Sequence, residues 1–145
     1  MIGVPVAVGC ASGTDALWLA LLAAGVRPGD GVITSAFSFL ASASSIARAG
    51  ARPVFVDIDP STFNLDPRKV EASLRLGGSH KIRALLPVHL YGQCADMDAL
   101  RDFSEEFKLI LIEDAAQAIG AKWRDGNAGW LGIAVLSNKK SGRVW

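Results

Sequence analysis

The chain has 145 residues, of which half are hydrophobic, and this is enough for one compact domain with a substantial core. Fifteen basic and fourteen acidic residues leave it near neutral, without a basic run interleaved with aromatic residues, so neither nucleic acid nor a membrane surface is an expected partner. The longest apolar stretch, residues 17–26, is too short to span a membrane, and no charged leader precedes a signal segment, so we expect a cytoplasmic protein.

The predicted elements alternate between helices and strands. Ser12 or Thr14 can cap a first helix over residues 15–24, which is apolar on almost every side and therefore expected to be buried. Strands are predicted over residues 32–35, 53–58, 82–88 and 109–112, with further helices over residues 39–49, from residue 66 and from residue 97. The last strand is wholly apolar, as is typical of a sheet covered on both faces. The order of elements predicts an α/β fold with a mainly parallel sheet flanked by helices.

The two cysteines, Cys10 and Cys94, are far apart in the sequence and lack the spacing of metal ligands. We therefore expect buried, reduced thiols rather than a disulfide or a zinc site. No metal site is predicted from this sequence.

A phosphate-binding turn is predicted at residues 12–17, Ser-Gly-Thr-Asp-Ala-Leu, because these small residues run directly into the first helix. Free backbone N–H groups and the helix dipole favour an anion there. Gly13 allows close approach of the backbone, Thr14 offers an N–H and a hydroxyl, and Asp15 contributes mainly its backbone donor. An ordinary helix cap is the alternative interpretation.

A carboxylate, Asp114, is expected just past the end of the last strand, where open α/β sheets hold their ligands. A phosphate-binding turn together with an acid at a strand end suits pyridoxal phosphate, whose ring nitrogen needs an acidic partner to keep it protonated. Asp114 could instead only cap the segment that follows. Gln117 can reach the ring oxygen of the cofactor if that segment is helical, and the alternative is a solvated polar residue.

Five short motifs, in this order and spacing, resemble the DegT/DnrJ/EryC1/StrS family of pyridoxal-phosphate-dependent sugar aminotransferases. They are residues 12–17, Gly29-Asp30 before residues 32–34, Phe39 followed by residues 41–43, residues 87–92 (Pro-Val-His-Leu-Tyr-Gly) and residues 113–117. The resemblance covers about residues 3–132. It implies the fold-type-I transferase architecture, with residues 1–145 forming a partial cofactor-binding large domain and the smaller C-terminal domain absent. It also implies a homodimer with shared active sites.

By this resemblance the activity is transfer of an amino group to a nucleotide-linked keto sugar from an amino-acid donor, for which glutamate is expected. The resemblance also places Phe39 where an aromatic ring stacks on the cofactor, with a plain core residue as the alternative. His89 and Tyr91 lie at a strand end and are assigned no chemistry, because a histidine there is more often a hydrogen-bonded structural residue.

The family also carries a lysine that binds the cofactor covalently and moves the substrate proton, within the peptide Phe-Pro-Thr-Lys-Asn-Leu-Gly. Lys139 falls in the matching register, but its neighbours differ. Codon degeneracy allows residues 136–143 to be encoded by triplets that, read one base later, give the family peptide. We therefore hypothesise a shifted reading frame near residues 132–135 and a fragment without turnover. A nucleotide sequence unable to yield that peptide would refute the hypothesis.

Two other classes of function stay open. One is a different phosphate-binding or nucleotide-binding α/β protein, although residues 9–13 lack the G-x-G-x-x-G spacing and there is no Walker motif. The other is a non-catalytic relative or gene remnant that at most binds a phosphate-bearing ligand.

Overall fold

A parallel sheet of five strands forms the centre of the computed structural model, which describes residues 6–77, 81–130, 132–135, 137–138 and 143–144. The helices are α1 (Gly13–Ala23), α2 (Leu40–Arg48), α3 (Pro67–Leu76) and α4 (Met97–Glu106), with a 3-10 turn at Leu90–Gly92. The five strands of the sheet are β1 (Gly31–Ser35), β2 (Arg52–Val56), β3 (Ile82–Leu86), β4 (Ile110–Asp114) and β7 (Ile133–Val135). Two short antiparallel pairs complete the described elements: β5 (Lys122–Trp123) with β6 (Gly126–Asn127), and β8 (Ser137–Asn138) with β9 (Arg143–Val144).

The strand order is β2-β1-β3-β4-β7, and every pair in the sheet is parallel. The chain moves outward from β1 to β2 through α2, and then returns past β1 to β3 and β4 through α3 and α4. Because crossover connections are right-handed, this reversal of direction puts α2 on one face and the pair α3 and α4 on the other. Ligands of open α/β sheets generally bind at such a reversal, which here lies at the carboxyl ends of β1 and β3.

The hydrophobic core has two layers, one on each face of the sheet. On one face α1 and α2 pack through Leu17, Leu21 and Ile46 against strand residues that include Leu86 and Ile112. The other face joins α3 and α4 to the alternate strand residues, among them Ile33, Val70, Leu85, Leu100 and Leu111. Adjacent strand residues therefore serve opposite layers, as the period of two requires.

The predicted elements are confirmed, with differences at their ends. Ser12, not Thr14, caps α1, and Leu19 and Leu22 are 45% and 43% exposed, so the expectation that this helix is buried all round is wrong. The reason is that only the side of α1 formed by Leu17, Ala20 and Leu21 packs into the core. Strand β4 continues to Asp114, so this carboxylate is the last residue of the strand rather than the residue after it.

Cys10 and Cys94 are free thiols in the structure, and both are only half-buried. The expectation of reduced thiols agrees with this placement, whereas full burial does not. None of the helices within the described ranges is both long enough and apolar enough to cross a membrane.

Candidate functional site

Asp114 ends β4 at the carboxyl edge of the sheet, with only 5% of its surface exposed. Its carboxylate accepts a hydrogen bond from the Ser42 hydroxyl at 3.1 Å and one from the Ala116 backbone N–H at 3.3 Å. Burial raises the pKa of Asp114, and these two hydrogen bonds oppose that rise without cancelling it. A buried carboxylate in this condition gains most from a cationic partner. The bond to Ala116, on Oδ1, is the capping role weighed from the sequence, while Oδ2 accepts from Ser42.

The N-terminus of α1 offers hydrogen-bond donors. The Ser12 hydroxyl accepts from the Asp15 backbone N–H at 3.1 Å and donates to the Asp15 carboxylate at 2.8 Å. The backbone N–H groups of Gly13 and Thr14 precede the first intrahelical bonds, and within the described residues no acceptor faces them. The Thr14 hydroxyl likewise has no hydrogen-bond partner in the described ranges. Gly13 and Thr14 therefore lie where an anionic group can accept from the helix.

One side of α2 joins these two places. Ser42, Ser45 and Arg48 recur every three residues, and so they share a face of the helix. Ser42 donates to Asp114, while the Ser45 hydroxyl donates to the Thr14 carbonyl at 3.1 Å. Helix α2 thus fixes the end of β4 and the start of α1 relative to each other.

Arg48 completes this side of α2 with an ion pair to Asp15 at 2.7 Å, and its guanidinium lies 3.8 Å from the centre of the Trp18 ring. The hydrogen bond from Arg48, aided by one from Ser12, lowers the pKa of Asp15. The Asp15 side chain is therefore engaged within the protein, and the backbone N–H that was expected to contribute is accepted by Ser12. What remains of the predicted role of Asp15 is its negative charge in the first helical turn.

Gln117 lies in a turn, so the helical segment that was the condition for its reach is not present. Its side-chain oxygen accepts the Tyr91 backbone N–H at 3.0 Å. Tyr91 has a positive φ of 54°, in the left-handed region. This bond fixes the orientation of the amide, leaving the Gln117 NH₂ group as a donor to a ligand oxygen.

Phe39 immediately precedes α2, and its side chain is 69% exposed. The alternative of a plain core residue is therefore wrong, and the ring is available to a flat ligand at this edge of the sheet. Lys139 lies outside the described residues, as does His80.

Sequence reasoning missed two groups of residues. For Ser42, Ser45 and Arg48 the signal was present as a three-residue spacing of polar side chains on one helix. For Glu113, 1% exposed, no local signal existed, because its partners lie elsewhere in the chain. His89, expected to be a hydrogen-bonded structural residue, is fully buried and bonded to Glu113 at 3.2 Å.

The site can therefore hold a ligand that is anionic at one end and cationic at the other. The anionic end fits the N–H groups of Gly13 and Thr14, and a protonated ring nitrogen fits the buried Asp114. Pyridoxal phosphate has this distribution of charge, and the donors present match it.

The model of the DegT/DnrJ/EryC1/StrS aminotransferase family matches residues 1–139. A pleiotropic regulatory protein of Geobacillus stearothermophilus is 58% identical over 128 residues, which cover 88% of this chain and 33% of that protein. UDP-2-acetamido-2-deoxy-3-oxo-D-glucuronate aminotransferase of Pseudomonas aeruginosa is 46% identical over 123 residues, 85% of this chain and 33% of that protein. The chain thus spans about a third of the length of these curated relatives.

Two solved structures extend the comparison. An aminotransferase of the same family from Brucella abortus matches with a TM-score of 0.90 and 37% identity, over 93% of this chain and 37% of the other. NtdA from Bacillus subtilis, solved with bound cofactor PMP, matches with a TM-score of 0.80 and 39% identity, over 89% of this chain and 28% of the other. The match over nearly the whole chain shows that it belongs to the DegT/DnrJ/EryC1/StrS aminotransferase family, whose members are pyridoxal-phosphate-dependent enzymes of fold type I.

Proposed function

We propose that residues 1–145 are part of the larger, cofactor-binding domain of an aminotransferase acting on a nucleotide-linked keto sugar. The amino group comes from an amino-acid donor, for which glutamate is our first choice, and the complete enzyme is a cytoplasmic homodimer. The observation that carries the proposal is the placement of Asp114: a buried carboxylate with a raised pKa, tied by α2 to the N-terminus of α1.

Each residue of the site has a separate task in this proposal. The Gly13 and Thr14 N–H groups and the Thr14 hydroxyl bind the phosphate, while Asp114 holds a proton on the ring nitrogen. The Gln117 NH₂ group donates to the ring oxygen, and Phe39 covers one face of the ring. When bound, the cofactor supplies a protonated ring that withdraws electrons from the carbon being deprotonated. Lys139 is the proposed covalent anchor and proton carrier.

The substrate class has its support in the names of relatives. The Pseudomonas aeruginosa relative is named as an aminotransferase of a UDP-linked keto sugar, and a second relative is named GDP-perosamine synthase. Both names specify a sugar attached to a nucleoside diphosphate. We therefore assign this substrate class to the complete enzyme and leave the sugar and the position aminated open.

A non-catalytic role is the second candidate, because the Geobacillus stearothermophilus relative, at 58% identity, is named a regulatory protein. In that case the same donors would hold a phosphate-bearing ligand reversibly, without covalent attachment. The aminotransferase requires Lys139 as its covalent anchor, whereas the non-catalytic candidate does not.

The test is titration of the purified chain with pyridoxal phosphate, followed by borohydride, which reduces a lysine adduct to a stable bond. We expect the wild type and Lys140→Ala to retain the cofactor covalently and Lys139→Ala to release it on denaturation. Mass spectrometry locates the modified residue. Reversible binding that borohydride never traps would support the non-catalytic candidate, and absence of binding by the folded chain would contradict both.

A further inference from the structure

The buried pair His89 and Glu113 lies directly behind Asp114 and has no task in the proposed function. We propose that His89 and Glu113 are positioning residues, which hold the turn marked by Gly129 and Gly132 against β4 and so fix the register of β7 beside Asp114. This inference rests on the proposed function for its consequence, but its structural part can be measured separately.

Glu113 and Asp114 are neighbours on β4, so their side chains point to opposite faces of the sheet. Asp114 meets Ser42 of α2, while Glu113 accepts the Gly129 N–H at 2.8 Å and the Gly132 N–H at 2.7 Å. One carboxylate therefore binds the backbone at both Gly129 and Gly132, and Gly132 lies directly before β7. Bonds between ionised oxygens and backbone N–H groups are among the stronger hydrogen bonds in proteins.

Gly132 leads straight into β7, the strand beside Asp114. Strand β7 pairs with β4 so that Ala134 lies opposite Glu113 and Val135 lies opposite Asp114. The sequence then places Lys139 four residues after Val135. If Gly132 moved along β4, the register of β7 on β4 would move with it. A strand that slips by one residue turns all its side chains to the other face of the sheet.

The backbone at Gly132 approaches β4 so closely that only glycine fits. A Cβ atom at Gly132 would lie 2.5 Å from the Leu111 carbonyl oxygen. Gly129 has a φ of 88°, which other residues rarely adopt. The backbone N–H groups can therefore reach the buried carboxylate only with the glycines that stand there.

His89 ties a third segment to the same carboxylate. Its Nδ1 accepts the Ala95 backbone N–H at 3.2 Å, so the proton of the neutral ring is on Nε2, which donates to Glu113 at 3.2 Å. The backbone of His89 also donates to the Asp114 carbonyl at 3.0 Å. The loop after β3 is thus fastened to both members of the Glu113-Asp114 pair.

The carboxylate is held in its charged form. Burial works against ionisation of Glu113, but the hydrogen bonds from His89, Gly129 and Gly132 outweigh it and lower the pKa. A glutamine would keep the size of the side chain while replacing one accepting oxygen with a donating NH₂ group. The NH₂ group and the backbone N–H that it would face are both donors, so neither could accept a hydrogen bond from the other.

The experiment compares the full chain with three variants: Glu113→Gln, His89→Gln and His89→Asn. Glutamine places an amide near the position of Nε2 and can still donate to Glu113. Asparagine places it near Nδ1, so it keeps the bond to Ala95 and loses the one to Glu113. The first readout is amide hydrogen exchange at Gly129 and Gly132, measured by NMR in protein labelled at glycine.

We expect Glu113→Gln and His89→Asn to speed exchange at both glycines by about tenfold or more, while His89→Gln stays near the wild type. The second readout separates positioning from general loss of structure. Pyridoxamine phosphate needs no lysine, so its affinity should stay unchanged in Glu113→Gln, while the fraction of pyridoxal phosphate trapped by borohydride should fall about tenfold.

Unchanged exchange at both glycines in Glu113→Gln would overturn the inference, as would a parallel loss of pyridoxamine phosphate affinity and trapping. His89→Gln behaving worse than His89→Asn would remove His89 from the network. The wild type could retain no cofactor after borohydride while amide exchange at the two glycines is slow, as expected. In that case the proposed function is contradicted, and the positioning of Gly129 and Gly132 by Glu113 is still supported.

Discussion

At the scale of single residues, Asp114 is a buried carboxylate at the end of β4. Burial raises its pKa, and the hydrogen bonds from Ala116 and Ser42 do not fully compensate. A cationic partner would offset this cost of burial. A protonated ring nitrogen is such a partner, which is why the tests at this scale concern affinity for the cofactor.

Asp114→Asn should weaken pyridoxal phosphate binding by about 1.5–3 kcal/mol, the range for hydrogen bonds that involve a charged group, because a neutral amide cannot form the ion pair. The free energy of unfolding of the apoprotein should not fall, since the cost of burying a charge disappears with it. Asp102→Asn, at an exposed position of α4, serves as the matched control and should alter neither quantity. Equal losses of affinity and stability in Asp114→Asn would assign the carboxylate to capping alone. Fluorescence titration and urea unfolding supply the two measurements.

Thr14→Val should weaken pyridoxal phosphate binding by about 1–3 kcal/mol if the hydroxyl bonds the phosphate. Valine keeps the branched shape of threonine, so the helix itself is little disturbed. Thr14→Ser retains the hydroxyl and should bind nearly as well as the wild type. Isothermal titration calorimetry measures all three proteins, and equal affinity in the valine variant would remove the hydroxyl from the site.

At the scale of elements, α1 depends on its cap. Ser12→Ala should lower the free energy of unfolding by about 0.5–2 kcal/mol, the usual cost of losing an N-cap hydroxyl. The reason is that the Asp15 N–H loses the oxygen that now accepts it at 3.1 Å. Ser12→Asn, which can still cap, is the control and should unfold at nearly the wild-type urea concentration. A wild-type midpoint for Ser12→Ala would mean that packing of α1 on α2 holds the helix without its cap.

Helix α2 was expected from the sequence, and the three-residue spacing of its polar side chains is visible there, but the partners of these side chains became visible only in the fold. Its side formed by Ser42, Ser45 and Arg48 reaches Asp114, Thr14 and Asp15 in turn. The bonds of Ser45 and Ser42 join residues 31 and 72 positions apart in the chain. No pattern confined to one segment can predict such pairs.

At the scale of the whole molecule, neighbouring carboxylates on β4 contribute to stability with opposite dependence on pH. The lowered pKa of Glu113 adds stability above the usual glutamate pKa of about 4.3, and this is lost as pH falls through the folded value. The raised pKa of Asp114 has the opposite sign, because its burial cost is relieved as the group takes up a proton on acidification.

Urea unfolding from pH 7 to well below the usual glutamate pKa of about 4.3 should therefore separate the two groups. Relative to the wild type, Glu113→Gln should be fully destabilised at pH 7 and should approach the wild type only as pH falls below about 4.3. Asp114→Asn should show its greatest relative stability at pH 7 and lose that advantage on acidification. Trends of the same sign in both variants would contradict the assignment of the two pKa shifts.

The sequence by itself determined the elements and the family. Alternating apolar segments, the Ser12 cap and the small residues at the start of α1 act over a few positions, so local physical rules suffice to predict them. The same rules placed Asp114 at a strand end. They failed where the outcome depended on distant partners. The leucines on the outer side of α1 are exposed, although the helix was expected to be buried. Gln117 lies in a turn that bonds Tyr91, whereas a helix had been the condition for its reach to the cofactor.

Only the tertiary structure decided how the site is assembled. It brought the start of α1 and the end of β4 to one side of α2, and exposed Phe39 at the same edge of the sheet. It also buried Glu113 behind Asp114, where the N–H groups of Gly129 and Gly132 keep it ionised. The physical reason is that the charge of a buried carboxylate is governed by donors brought in by other segments, and those donors have no signature near it in the sequence.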